Sequence, residues 1–298
     1  MQTNWDDLRL FLAVAREESL SGAGKRLRLD PATVGRRMAR LETALQAALF
    51  VKSPQGYTLT DAGAALLARS EAAEQAMRVA VAGLPAQGEQ LHGQIRIGAP
   101  DGCANYLLPQ VCAAIADDNP ELDIQIVALP RVFNLSRREA DMAIAVSAPG
   151  AGRLVVQKIT DYRLHLAAGE SYLAGHGPVK TLDDLRGLRL VGYIPDMIFD
   201  RELDYLADIG MARVPLASNS ASVQVNLIRQ GGGIGVAHDF SLPATPGVRR
   251  VLTDVVSLTR SFWLIRHADD QRNARLTRFA ESLSAGLRAE VARLEAQA

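Results

Sequence analysis

The chain opens with hydrophobic positions at helical spacing and shifts, near residue 93, to alternating strand-like and helix-like runs. Leu8, Phe11, Leu12 and Ala15 follow Asn4, a helix cap, with Asp6 and Asp7 in the first turn, where carboxylates complement the helix dipole. A second short helix is predicted from about Ser21 to Leu27, with Ala23 and Leu27 inward, then a turn at Arg28-Leu29. Asp30 caps a third helix, Pro31 takes its first position, where a missing N–H costs nothing, and the helix runs to about Leu45. At about 100° per residue, Val34, Met38, Leu41 and Leu45 share an arc of about 60°. Phe50-Val51-Lys52 and Tyr57-Thr58-Leu59 read as short strands around Ser53-Pro54-Gln55-Gly56, a hairpin wing. From Thr60 an alanine-rich helix continues to about Val81. Its Leu66, Ala73, Met77 and Leu84 mark a narrow seam rather than a broad apolar face, and Gly83, Pro85 and Gly88 end it.

Beyond Gly93 the pattern predicts a strand at Gln94–Gly98, a helix at Tyr106–Ile115, a strand at Asp123–Leu129, a helical turn at Asn134–Arg138 and a strand at Asp141–Val146. Two longer β-like segments, Leu154–Ala168 and Arg260–His267, bracket a region with strands at Leu188–Tyr193, Val214–Ser218 and Ile234–Ala237. Helices in that region are predicted to start near Thr181, Phe199 and Ser220. Strand and helix in alternation imply parallel pairing. The expectation is an α/β chain with an all-α, winged N-terminal module: a winged helix-turn-helix at 1–63, a linker helix and hinge at 64–92, and a two-lobed domain at 93–298. Its first lobe takes about 93–160 and 266–298, its second about 161–265. Two lobes joined by two crossing strands describe a periplasmic-binding-protein-like fold, with a ligand cleft at the carboxyl ends of the strands.

Charge sharpens this picture. The 298 residues carry 33 basic and 33 acidic side chains, a net charge of zero. Between Lys25 and Lys52, however, seven basic residues face only Asp30 and Glu42. On the third helix Thr33, Arg36, Arg37 and Arg40 occupy an arc of about 100°, centred about 120° from the apolar one. One side enters a core while the other presents guanidiniums and a hydroxyl, the chemistry that reads guanine edges, thymine methyls and phosphates in a major groove. Lys52, with Ser53 beside it on the wing, is placed to reach a phosphate. A seam of small residues between two domains points to pairing with a second copy, as a pseudo-palindromic DNA site requires.

Other chemistries find little support. Cys103 and Cys112 are too few for a disulfide framework or a cysteine-rich zinc site. The histidines show no metal-ligand spacing, and no nucleophile elbow is present, so neither a catalytic residue, nor a metal, nor a cofactor is expected. Gly231–Gly235 follows a helix and precedes a strand, which reverses the order of a phosphate loop and reads as a helix end with a tight turn. No apolar run approaches the ~18 residues of a membrane span, and the first residues lack a secretory pattern, so a cytoplasmic protein without membrane contact is expected. Cys103 reads as a small residue in preference to a redox sensor, and the arginines of the last helix (Arg272, Arg275, Arg278, Arg288, Arg293) as a solvated face.

Several segments together resemble the LysR-type transcriptional regulators. They are Leu8–Ala15, Ser19–Leu27, Pro31–Glu42 and Leu49-Phe50 through Leu59–Gly63 in the head, then Leu107-Leu108-Pro109, Arg138–Ile144, Thr181–Leu185 and Gly231–Gly235. The match spans nearly the whole chain. Leu29-Asp30 and Gly35 stand where the family usually has a polar pair and a serine, so no base preference carries over. The resemblance implies an oligomer, dimer or tetramer, on double-stranded promoter DNA, with RNA polymerase as a further partner and a small-molecule effector in the cleft. Candidate effector contacts are Asp101, Arg131, Phe133 and Ser147 after strands of the first lobe, and Tyr193, Ser218, Asn219 and His238 at strand ends of the second. In relatives the loop holding Asp101 often offers hydroxyls to a carboxylate effector; here Pro100 and Gly102 replace them. Two rival readings remain: a solute-binding protein with a dimerising appendage, which the basic arc opposes, and a small-molecule enzyme, which lacks a catalytic constellation.

Overall fold

The computed structural model describes residues 4–53, 56–82, 90–128, 140–150, 152–211 and 213–298. The chain divides into two units, at Met1–Ala86 and Gln87–Ala298. Each is built around its own core.

The first unit contains α1 (Trp5–Glu17), α2 (Leu20–Leu27), α3 (Pro31–Leu45), β1 (Phe50–Ser53), β2 (Gly56–Leu59) and α4 (Asp61–Ala82). Capping sets each helix start. Asn4 accepts from Asp6 N–H, Ser19 from Gly22 N–H, and Asp30 from the N–H groups of Ala32 and Thr33. Ser19 as cap starts α2 at Leu20, one residue before the predicted start. Three helices end on non-glycine residues with left-handed backbone, Glu18, Arg28 and Gln46. Leu10, Phe11, Val14, Ala23, Val34, Met38, Leu41 and Phe50 form the core, and the Phe11 and Phe50 rings lie 5.4 Å apart. The wing is tied back to the α1–α2 turn by a 2.9 Å bond from Tyr57 N–H to Glu18 O. Gly56, at φ +135°, permits that approach, because a Cβ there would stand 2.6 Å from Glu18 O. Thr60 caps α4 through Gly63 N–H, as predicted, and Leu66 packs on the head's own core, while Ala73 and Met77 are exposed. Leu84 lies outside the described residues.

The second unit holds a sheet of order β4-β3-β5-β11-β6-β9-β7-β8, with β10 paired to β6. Its strands are β3 (Gly93–Ala99), β4 (Leu122–Ala128), β5 (Met142–Ala145), β6 (Leu154–Gly169), β7 (Leu190–Gly192), β8 (Leu216–Ala217), β9 (Ile234–His238), β10 (Val248–Arg250) and β11 (Leu258–His267). β3 pairs in parallel with β4 and β5, and β7 in parallel with β8 and β9. The long strands β6 and β11 run antiparallel between the two parallel groups, with a register shift between Phe262 and Trp263. They are the two crossing segments expected from the sequence. The helices are α5 (Asp101–Tyr106), α6 (Leu108–Asp118), α7 (Glu170–His176), α8 (Ala221–Arg229) and α9 (Ala274–Glu295).

Several expectations need correction. The single helix expected at Tyr106–Ile115 is two, broken at Leu107, because Pro109 starts a new helix more readily than it continues one. Only short 3-10 turns occur at Asp183–Leu185, Arg201–Leu203 and Ala207–Ile209, where longer helices were expected. α7 and β10 were not anticipated. α9 is not merely a solvated face, since Leu276, Phe279, Leu283, Leu287 and Val291 enter the core. The turn predicted at Asn134–Arg138 lies outside the described residues. Gly231–Gly235 does close α8 and lead into β9, with Gly231 N–H bonded to Ile228 O.

Candidate DNA-binding face and effector cleft

On α3 the burial of Val34, Met38 and Leu41 fixes which way the opposite side points. Arg36 is exposed and donates to Thr33 Oγ1 at 3.1 Å. Arg37 and Arg40 do something the sequence did not reveal: both bind the buried carboxylate of Asp7 on α1. Arg37 donates through Nε at 2.7 Å, and Arg40 through one guanidinium nitrogen at 3.0 and 2.7 Å. Burial works to raise the Asp7 pKa, but the hydrogen bonds and charges of Arg40 and Arg37 outweigh it and hold the carboxyl below its ordinary range. Asp7 was read as a dipole partner of α1; the structure also makes it the anchor of α3. A separation of 30 residues leaves no periodic signal for such a pair. On the wing, Lys52 is exposed above the Tyr57 ring at 5.9 Å, and Ser53 donates to Gly56 O at 3.4 Å.

The cleft of the second unit is narrow and partly open to solvent. Asp101, Tyr193, Asn219 and His238 line it as predicted, joined by Tyr162, Phe199, Tyr205 and Phe262. Those aromatics were missed because a ring on a strand or in a loop has the same sequence signature whether it packs a core or faces a cavity. Ser147 and Ser218 stand beside the lining. Ser147 donates to the Asp200 carboxylate, and Ser218 Oγ accepts from Ser220 N–H at 3.1 Å. Arg131 and Phe133 lie outside the described residues.

Asp101 is not simply exposed to the cleft. Its Oδ2 accepts from Ser222 N–H at 2.8 Å and from Ser220 Oγ at 3.0 Å, at the start of α8. His238 is buried among rings, 4.8 Å from Phe240 and 5.5 Å from Tyr162. Burial lowers its pKa from 6.5 to about 4, against the pull of Asp101 and Asp239, so the imidazole is neutral at physiological pH. Gly102 makes room for it, since a Cβ there would meet the ring at 3.2 Å. The hydroxyls of Tyr162 and Tyr205 are near enough to influence each other, yet each is buried without a well-formed hydrogen bond among the described residues. Burial raises the Tyr162, Tyr193 and Tyr205 hydroxyl pKa values, which keeps all three protonated.

Cys103 is buried at the cleft, and burial pushes its thiol well above the ordinary range, which suits a small packed residue better than a reactive one. Behind the cleft, Asp239 accepts from Arg250 at 3.0 Å and hydrogen-bonds with His165 Nδ1 at 2.8 Å. Among the described residues no cluster of three or more His, Cys, Asp or Glu side chains is placed to hold a metal ion. No helix among them is long and apolar enough to cross a membrane.

A winged helical head bearing arginines on its third helix, and a two-part α/β unit with an aromatic cleft, define a DNA-binding regulator with a ligand-sensing domain. The chain belongs to the LysR family of transcriptional regulators: residues 5–64 match the bacterial regulatory helix-turn-helix protein of the lysR family, and residues 88–288 the LysR substrate binding domain. It is 24% identical to the HTH-type transcriptional regulator CrgA of Neisseria meningitidis, over 95% of this chain and 97% of that one. It is 26% identical to the Mau operon transcriptional activator of Paracoccus denitrificans, again over 95% and 97% of the two chains. A full-length OxyR variant from Pseudomonas aeruginosa shares the fold at a TM-score of 0.74 and 16% identity, covering 97% of this chain and 95% of that one. The protein is therefore a DNA-binding transcriptional regulator with an effector-binding domain, and its relatives are regulators rather than enzymes.

Proposed function

We propose that the chain acts in the cytoplasm as a dimer or tetramer, with residues 1–63 as the DNA head, 64–92 as linker and pairing helix, and 93–298 as the sensor. Thr33 and Arg36 read base edges in the major groove. Arg37, read from the sequence as a groove contact, is held with Arg40 by Asp7, and the pair joins Lys52 and Ser53 of the wing on phosphates. An effector held near Asp101, Tyr193, Asn219 and His238, with Ser147, Ser218, Arg131 and Phe133 as further candidate contacts, closes the lobes. Closure changes the spacing of the paired heads and their hold on RNA polymerase at the promoter.

The observation that carries this reading is the division of α3 into a buried face of Val34, Met38 and Leu41 and an opposite face bearing exposed Arg36. A gel-shift assay with the DNA upstream of the protein's own gene tests it. Arg36→Ala is expected to weaken binding roughly 10- to 100-fold, the worth of one good base contact. Undiminished binding by that variant removes Arg36 from the interface.

A further inference from the structure

The first turn of α8 is a ready anion site: its backbone N–H groups lack intrahelical partners and the helix dipole favours negative charge there. In this protein a carboxylate already sits on it. Asp101 opens α5 from the far side of the cleft, and its Oδ2 takes the Ser222 N–H at 2.8 Å and the Ser220 hydroxyl at 3.0 Å. Its Oδ1 takes the Asn105 amide at 3.2 Å. Ser220 is itself the cap of α8, accepting from Val223 N–H, so the carboxylate docks on a formed helix end.

A second observation shows what the cleft still has to offer. Tyr162 and Tyr205, 1% and 4% exposed, line the cleft with hydroxyls that make no well-formed hydrogen bond among the described residues. Buried hydroxyls left in that condition are costly, and a ligand that bonds to them recovers that cost. Among the described lining residues, the polar groups left for a ligand are neutral phenols, a neutral imidazole and the Asn219 amide, set among aromatic faces. The anion position is taken.

We propose that Asp101 is the specificity-determining residue of the cleft: its carboxylate occupies the anion position at the start of α8, so the cleft accepts ligands without negative charge and refuses carboxylates. A second negative charge beside Asp101 would be repelled and would find the Ser220 and Ser222 donors engaged. This deepens the reading of the cleft as the effector site and rests on it. The same carboxylate joins the two sides of the cleft, alongside the Ser147–Asp200 bond.

Chemical rescue tests the assignment. The full chain and Asp101→Ala are melted at neutral pH in sodium formate, sodium acetate or sodium chloride at equal ionic strength. Asp101→Ala is expected to melt about 5 °C below the parent, the scale of losing charge-assisted hydrogen bonds in a domain of this size. Formate or acetate should restore most of that loss where chloride does not, while the parent responds alike to all three salts. Asp101→Asn, whose amide fills the position without charge, should show no rescue by formate. Equal stabilisation of parent and Asp101→Ala by formate, or an Asp101→Ala variant that melts with the parent, overturns the proposal. If Asp101→Ala does not fold, rescue of Asp101→Asn by formate overturns it instead, and a parent stabilised by either carboxylate over chloride does so as well. None of these measurements involves DNA, so their failure is distinguishable from a failure of the DNA-binding reading.

Discussion

Asp7 joins stability to recognition through a single carboxylate. It holds two guanidiniums that the sequence places on the DNA-facing arc, so the orientation of Arg37 and Arg40 is set before any phosphate arrives. Removing it leaves Arg37 partly buried without its counterion, and Asp7→Ala should cost about 2 kcal/mol in urea unfolding, the scale of a charge-assisted, partly buried pair. Its pKa is lowered in the fold, so its contribution is complete above the ordinary value of 3.8 and is lost as pH falls through the lower folded value. His238 acts over a different range. Its pKa drops from 6.5 in the unfolded chain to about 4 in the fold, so the unfolded state binds the proton first and stability falls as pH descends from 6.5 towards 4. Urea unfolding at pH 7 and pH 5 should show a loss about 2 kcal/mol larger in the parent than in His238→Gln. An equal loss in both would mean His238 is not the group being protonated. Neither role was legible in the sequence, because each depends on partners remote along the chain.

Elements were legible where local chemistry determined them. Asp30 and Pro31 marked the start of α3, and the spacing of Val34, Met38 and Leu41 marked its buried face; both hold in the structure. Where tertiary contacts chose the conformation, the sequence was a poorer guide. Glu18, Arg28 and Gln46 take left-handed backbone with no glycine to announce it. The short turns between β7 and β8 carry helical composition but never extend into helices. α4 lies between these cases. Its Leu66 packs on the head, and Arg16 of α1 pairs with its Glu74 at 2.9 Å, which leaves Ala73 and the 52% exposed Met77 on the proposed pairing seam. A glutamate there places charge in the proposed seam, so Met77→Glu should convert the assembly to monomer in sedimentation equilibrium. An unchanged mass would assign pairing to another surface.

At the scale of the molecule, a net charge of zero conceals unlike parts. Even the basic segment is less free than its composition suggests, because Asp7 offsets one of the two guanidiniums it holds. The contacts proposed for DNA are a small directed set, Arg36, the residual charge of the Arg37–Arg40 pair, and Lys52. If two heads bring about six cations to phosphate, log affinity should fall against log salt with a slope near −5. A flat response would show that binding does not run through phosphates. The overall plan was readable because long strands and capped helices announce themselves; the cleft was only half readable, since Tyr162, Tyr205 and Phe262 sit in stretches that look like core. Because the two connections between the halves of the sensor, β6 and β11, are strands of one hydrogen-bonded pair, twisting about that pair is a movement that can accompany closure. Its register shift at Phe262 and Trp263 interrupts the ladder there, where a bulge adds bend and twist. A ligand wedged against Phe262 would therefore act as a lever on the twist, turning a small displacement at the cleft into a larger sweep at the periphery.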